Sequence, residues 1–185
     1  MSKVMLDINI LVKFAFIYQK LIKGTAIPKA LKKFKELLDL YERAEFKNVM
    51  SEWNRLELRD VLMRLKLAEI YFLSGYSTNE FHDARDEGIK LKRESIDGVN
   101  EIVFDIWKFS FKTTKDMKMK KIQRLTKMGY STFDMVLLHQ AELSECDYFV
   151  TQDGKLRQNE ELDENFKVKI CSVKEFLEKI KNEAR

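Results

Sequence analysis

The segment KVMLDINILV, residues 3–12, changes its pattern at a single acidic residue. A short apolar run up to Asp7 is typical of a buried strand, and the apolar residues after it follow a helical pattern that ends at Gly24. We therefore predict a strand over residues 3–7 and a helix over residues 10–23. An ionised carboxylate in an apolar setting is costly unless a partner compensates it, so the surroundings of Asp7 need an explanation.

Strand and helix patterns alternate along the rest of the chain. Further strands are predicted at residues 46–51, 108–112, 148–151 and 166–170, and further helices at residues 30–45, 52–72, 99–107, 116–129, 131–143 and 173–181. This alternation predicts a three-layer α/β/α fold around a central parallel sheet of about five strands. Residues 1–185 are expected to form one domain, with a helical excursion with loops around residues 73–98.

Serine residues mark the starts of three predicted helices. Ser51 is placed to cap the helix that follows it. Ser131 with Asp134, and Ser172 with Glu175, have the spacing of a capping box. These positions fix where we expect the helices to begin.

The composition narrows the class of protein. The 34 basic and 30 acidic residues give a net charge of +4, which permits a polyanionic partner without requiring one. Cys146 and Cys171 have neither a disulfide framework nor zinc spacing around them, which favours a reducing cytoplasm. We expect neither an export signal nor a membrane span. Neither GxGxxG nor GxxxxGK[ST] follows a predicted strand, which argues against nucleotide-cofactor enzymes.

Four acidic residues fall where a doubly wound sheet would bring them to its carboxyl edge. They are Asp7, Glu57, Asp134 and Asp153. Carboxylates about 4 Å apart repel by roughly 4 kcal/mol at an effective dielectric near 20, so such a cluster needs cations to hold it together. Oxygen ligands without Cys or His suit Mg²⁺ or Mn²⁺. The pattern thus predicts a metal site and phosphodiester hydrolysis.

Each acid also has a purely structural interpretation. Asp7 could cap the helix that follows it, and Glu57 could be a solvated residue beside an apolar stripe. Asp134 lies in a first helical turn, where the helix dipole favours negative charge. Asp153 precedes Gly154, and Asp-Gly is a strong turn signal. Only the joint placement of all four favours a functional cluster.

The stretches around these acids resemble the PIN-domain nucleases, the family that includes the VapC-type toxins. The resemblance covers most of the chain and depends on four stretches in the right order. They are MLDINILV, SEWNRLEL, GYSTFDMVLLHQAEL and CDYFVTQDGKL. Ile8 and Met135 depart from the residues that are common at those positions in the family.

This resemblance implies a metal-dependent endoribonuclease in which Mg²⁺ or Mn²⁺ activates a water for attack on the RNA phosphorus. Asp7, Glu57, Asp134 and Asp153 match the catalytic, metal-binding acids of the family. Asn9 and Thr151 match its polar supports. The resemblance also implies a toxin–antitoxin pair, with a partner antitoxin and a homodimer.

Basic residues near the acids are candidates for phosphate contact. Lys155 and Arg157, just past Asp153, are the better candidates. A second group precedes Asp134 and could be either an RNA-attracting rim or a solvated helix face: Lys112, Lys115, Lys118, Lys120, Lys121, Arg124 and Lys127. His82 and His139 have no ligand spacing, and His139 is expected to serve packing and hydrogen bonding.

Two other functions stay open at this stage. The same chemistry could serve housekeeping RNA maturation, and an adjacent antitoxin-like reading frame would separate the two roles. The chain could also be a non-catalytic scaffold that binds RNA or protein, and metal binding would discriminate. A haloacid-dehalogenase-like phosphatase would need a second aspartate where Asn9 stands.

Overall fold

The computed structural model describes residues 1–75, 77, 91–113, 119–127 and 129–183, without the side chain of Asp163. The strands in these residues are β1 (Lys3–Leu6), β2 (Lys47–Ser51), β3 (Phe111–Thr113), β4 (Tyr148–Val150) and β5 (Lys169–Cys171). They form one sheet in the order β3-β2-β1-β4-β5, and every pair of neighbours is parallel. The predicted α/β fold with a five-stranded parallel sheet is confirmed.

Helices flank both faces of this sheet in a three-layer α/β/α arrangement. They are α1 (Ile8–Ile22), a 3₁₀ turn (Lys29–Leu31), α2 (Lys32–Glu42), α3 (Glu52–Leu73), α4 (Arg93–Trp107), α5 (Met119–Lys127), α6 (Thr132–Leu143), α7 (Gly154–Arg157), α8 (Glu160–Asn165) and α9 (Val173–Glu183). Helix α3 packs on α1 and α4, α5 packs on α6, and α2 packs on α9. Within the residues listed above, no helix has the length and apolarity that a membrane crossing requires.

The core explains why β1 lies at the centre of the sheet. Val4, Met5 and Leu6 are fully buried, as an apolar run between two layers of helices requires. Their strand pairs with β2 on one side and with β4 on the other, so it has no exposed edge. The buried apolar residues of strands and helices join into one core cluster.

Several local predictions need correction. Helix α1 begins at Ile8 rather than Ile10, because Asp7 caps it directly. Asp153 and Gly154 do not form a simple turn but open the short helix α7, and helix α8 was not predicted. Strand β3 begins three residues later than predicted. The predicted excursion falls mostly on residues 76 and 78–90, which are outside the described residues, as are His82, Lys115 and Lys118.

Two of the three predicted serine caps form in the structure. Ser51 caps α3 and forms a capping box with Asn54. Glu175 and Ser172 form the predicted capping box at α9, with bonds of 2.7 and 3.2 Å. Ser131 precedes α6, but its side chain makes no capping hydrogen bond, so that predicted capping box is wrong.

The strand order places the switch point of the sheet beside Asp7. The connection from β1 leads to β2 on one side of the sheet, whereas β4 lies on the other side of β1. Such a reversal is the usual ligand site of an open α/β sheet, at the carboxyl ends of the strands. Asp7 follows β1 and Thr151 follows β4, so both residues lie at this switch point.

Candidate active site

Asp7 has two roles at the end of β1. It is only 5% exposed, and its Oδ1 accepts a hydrogen bond of 2.6 Å from the backbone N–H of Ile8 at the start of α1. This confirms the structural interpretation that Asp7 caps the helix. Its Oδ2 accepts from the Thr151 hydroxyl and from Asn9 Nδ2, each at 2.5 Å. The carboxylate therefore also ties β1 to the end of β4.

Thr151 connects this aspartate to the next acid. Its side chain is completely buried, and its Oγ1 accepts a hydrogen bond of 2.9 Å from the backbone N–H of Asp153. Asn9 Nδ2 lies 3.1 Å from the same oxygen, and Asn9 Oδ1 accepts from the backbone N–H of Gln152 at 3.3 Å. Asp153 in turn caps α7 by accepting from the N–H of Lys155. The two predicted supports therefore fix Asp7 and the loop that carries Asp153.

The charges of the four predicted acids influence one another's ionisation. Burial raises the pKa of Asp7 to about 6; the Thr151 hydrogen bond opposes this shift, and the charges of Asp134 and Asp153 add to it. Burial raises the pKa of Glu57 to about 7, and the charges of Asp7 and Asp134 contribute. Burial and the charge of Asp153 likewise raise the pKa of Asp134. These acids destabilise one another when they are ionised.

Glu57 is the least satisfied of the four. It lies on α3 and is partly buried, and its Oε2 is shielded from solvent without a hydrogen-bond partner. A buried acceptor left without a donor costs about 1 to 3 kcal/mol, more when it is charged. The interpretation of Glu57 as a solvated helix residue does not account for this oxygen. A bound cation would satisfy it.

The donor chemistry of the cluster fits a hard divalent cation, because every donor is an oxygen and the charges repel one another. The present side-chain positions do not complete a site. Among the residues that the structure describes, no three histidine, cysteine, aspartate or glutamate side chains are arranged to hold a metal ion. One oxygen each of Asp7 and Asp153 is bonded to a helix N–H group instead.

The residues proposed for phosphate contact divide into two groups. Lys155 is exposed on α7, and Arg157 on the same helix has an Nε atom that is buried without a hydrogen-bond partner. Both remain candidates. In the second group, Lys121 bonds to Glu142 and Asn165, and Arg124 bonds to Asn165. These two residues hold α5 to its neighbours, which favours the structural interpretation for them.

Glu142 shows how the fold treats an acid that serves packing. Its Oε2 lies 2.7 Å from Lys121 Nζ and 3.3 Å from His139 Nδ1. Burial alone would raise the pKa of Glu142. The hydrogen bond and positive charge of Lys121 oppose this effect, and hydrogen bonds from the Lys167 N–H and from His139 add to them. The net result is a lowered pKa. His139 is buried in this cluster, as predicted for a packing residue.

Asn54 is a site-forming residue that the sequence did not reveal. It is fully buried at the start of α3, where its Oδ1 accepts from the N–H of Ser51 at 2.8 Å and from its hydroxyl at 2.7 Å. The usual capping-box signal has Glu or Gln at this position, so the asparagine was not recognised. Its bonds fix the first turn of the helix that presents Glu57.

Comparisons with known proteins identify no relative. No protein-family model matches the chain, and neither a curated protein nor a solved structure matches it. The resemblance to PIN-domain nucleases is therefore supported only by the sequence stretches that carry it.

Proposed function

We propose that the chain is a metal-dependent endoribonuclease that hydrolyses RNA phosphodiester bonds. One observation carries this proposal: the charges of four carboxylates act on one another at the carboxyl edge of the sheet, and within the described residues Glu57 Oε2 is buried without a hydrogen-bond donor. Such an arrangement costs stability unless a cation joins it. A fold keeps a costly cluster of this kind more readily for function than for packing.

Asp7, Glu57, Asp134 and Asp153 would hold Mg²⁺ or Mn²⁺. When bound, such an ion supplies polarisation of a phosphoryl oxygen and lowers the pKa of a water. Thr151 and Asn9 restrict Asp7 to one orientation through their hydrogen bonds. Lys155 and Arg157 would bind a phosphate of the substrate and hold the scissile bond near the acids.

The biological role that we propose is that of a cytoplasmic VapC-type toxin, with an antitoxin partner and a homodimeric state. The resemblance in sequence supports this role. Housekeeping RNA processing would use the same residues, so a small antitoxin-like reading frame beside this one is the observation that separates the two.

A non-catalytic RNA- or protein-binding scaffold is the second candidate. The observation in its favour is that no described group of acids is already arranged for a metal ion. In that case Asp7 is a helix cap and a link between strands, and Glu57 and Asp134 tolerate raised pKa values without a ligand.

The experiment that tests the proposal is cleavage of a mixed set of structured and single-stranded RNAs with Mg²⁺ or Mn²⁺. Wild type is compared with Asp7→Asn and with an EDTA control. Metal-dependent cutting that the substitution abolishes supports the nuclease. If no RNA is cut, calorimetry with Mn²⁺ decides the next step, because metal binding indicates a narrow substrate range and its absence favours the scaffold.

A further inference from the structure

A cavity of about 620 Å³ lies on the side of α3 that faces α4 and β3. Its lining combines positive charge with aromatic surface. The residues are Glu52, Arg55, Arg59, Asn100, Val103, Phe104, Trp107 and Lys112. Phe104 is 63% exposed, an unusual position for a large apolar side chain beside charged residues.

Among the described residues, two of the three cations in this cavity have no acidic partner. Arg55 Nε is paired with Glu52 at 2.7 Å. Arg59 donates only its Nε to Asn100, at 2.9 Å, so its terminal guanidinium nitrogens keep their donor capacity. Lys112 Nζ lies 5.4 Å from the centre of the Trp107 ring, a contact that fixes its position without cancelling its charge. Neither Arg59 nor Lys112 forms an ion pair within the described part of the chain.

Helix α3 connects this cavity to the acid cluster. Glu57 is two residues from both Arg55 and Arg59, and two residues correspond to a rotation of about 200° around a helix. The acid and the two arginines therefore lie on opposite sides of α3. A helix is about 10 Å wide, so an extended chain that crosses its first turns could contact both sides.

We propose that the cavity binds one nucleotide of single-stranded RNA, with its phosphate on Arg59 and Lys112 and its base stacked on Phe104. Cations that follow the backbone, together with an exposed aromatic ring, are the combination that binds unpaired nucleic acid. A duplex would keep its bases stacked on each other and away from the ring. The inference rests on the proposed function, since it treats this RNA as the substrate of the acid cluster.

The test is fluorescence anisotropy with a labelled ten-nucleotide single-stranded RNA in EDTA, where metal-dependent cleavage cannot occur. Arg59→Gln combined with Lys112→Gln should weaken binding about tenfold, equal to about 1.4 kcal/mol. The slope of log affinity against log salt should fall in magnitude by about 0.7, since the one phosphate contact that is lost contributes about 0.7. The matched control is Arg93→Gln with Lys174→Gln, which removes the same charge from exposed positions.

Two further variants separate binding from folding. Phe104→Leu should weaken binding several-fold, whereas Phe72→Leu, an exposed phenylalanine near the far end of α3, should not. Glu52→Gln should tighten binding about twofold, because it removes the only carboxylate that lines the cavity. A damaged fold cannot produce a gain in affinity.

The outcomes distinguish this inference from the proposed nuclease. If the Arg59 and Lys112 variant binds like its control, or if duplex RNA binds as tightly as the single strand, the inference is overturned even when cleavage is observed. If binding depends on the cavity but no RNA is cut with Mg²⁺ or Mn²⁺, the cavity stands and the nuclease proposal fails. Absence of RNA binding in wild type overturns the cavity assignment, and a metal-dependent cleavage assay then judges the nuclease separately.

Discussion

Two partly buried glutamates on different helices differ in how the fold offsets their charge. Glu142 on α6 has Lys121 at 2.7 Å and His139 at 3.3 Å, and its pKa is lowered. Glu57 on α3 has, within the described residues, an unpartnered Oε2, and burial together with the charges of Asp7, Asp134 and Asp60 raises its pKa to about 7. Of these two carboxylates, the fold places a cation beside Glu142 and leaves Glu57 Oε2 without a hydrogen-bond donor among the described residues.

This difference separates an acid that serves packing from the acids that we propose to bind a metal ion. With 34 basic residues in the chain, a lysine or arginine beside Glu57 would have been easy to provide. The nearest cationic influence on Glu57 is the charge of Arg64, which lowers its pKa less than Asp7 and Asp134 raise it. The negative charge that remains at the switch point would attract a divalent cation.

The largest expected effect comes from removing one charge from the cluster of four acids. Asp7→Asn and Glu57→Gln should each reduce metal-dependent RNA cleavage by at least about a hundredfold, because even residues that only support a metal ligand have effects of 10 to 100-fold. Glu142→Gln, the matched control, should change the rate less than about threefold. The measurement is the initial rate of cleavage, with circular dichroism to check the fold. Equal losses in all three variants would end the distinction between the two glutamates.

A smaller effect is expected from the support of Asp7. Thr151→Val keeps the shape of the side chain but removes the donor to Asp7 Oδ2 and the acceptor for the Asp153 N–H. Affinity for Mn²⁺, measured by calorimetry, should fall about 10 to 100-fold, and Thr151→Ser should recover most of it. Thr113→Val is the control, since the Thr113 hydroxyl pairs with Ser144 and not with the acids. An unaffected Thr151→Val variant would show that the hydroxyl has no part in holding the metal ligand.

Metal should also stabilise the fold through the acid cluster. Mn²⁺ at about a hundred times its dissociation constant should increase the free energy of unfolding of wild type by about 2.7 kcal/mol. A thermal unfolding series with and without the ion measures this gain. Glu57→Gln should show less of it, whereas Glu142→Gln should show all of it. A gain that is the same in the three proteins would place the ion elsewhere on the molecule.

The smallest effect concerns pH in the absence of metal. Because the pKa of Asp7 is raised to about 6, the folded state takes up a proton at a higher pH than the unfolded state, and protonation stabilises the fold. Lowering the pH from 7 to 5 should therefore favour wild type over Asp7→Asn by roughly 1 to 2 kcal/mol. Denaturant unfolding at both pH values measures the difference.

Glu142 gives the opposite sign and serves as the internal check. Its lowered pKa contributes stability above the unfolded value, and this contribution is lost as the pH falls through the folded value. Glu142→Gln should therefore lose less stability than wild type on acidification below about pH 4.5. If Asp7 and Glu142 variants responded to pH in the same direction, the contrast between the sites would be wrong.

The sequence predicted the fold because its signals are local and repeated. An apolar run that ends at Asp7, and similar runs before Ser51 and after Cys146, are sufficient to indicate strands between helices. The order of the strands was not predicted, since register and neighbours depend on contacts between distant residues. Helix α8 was missed because it has only six residues. Leu162 is the one buried apolar residue described among them, so the segment shows no helical hydrophobic periodicity.

The candidate site was predicted in part. The position of Asp7 at a strand end placed it at the carboxyl edge of the sheet, and the family resemblance implied Asn9 and Thr151 as polar supports. The hydrogen bonds between the three residues agree. The role of Lys121 was not visible, because its partners Glu142 and Asn165 are 21 and 44 residues away in the sequence. From the sequence alone, a basic residue that forms an ion pair within the fold looks the same as one that binds RNA.

The pairing of β1 with β4 also determines when the site can exist during synthesis. Val4 lies opposite Tyr148, and Thr151 bonds to Asp7 across 144 positions of the chain. Most of the polypeptide must therefore leave the ribosome before the first strand obtains its second neighbour. Until then Asp7 has no Thr151 to orient it and no Asp153 beside it. The four acids thus cannot come together until the chain has emerged as far as Asp153.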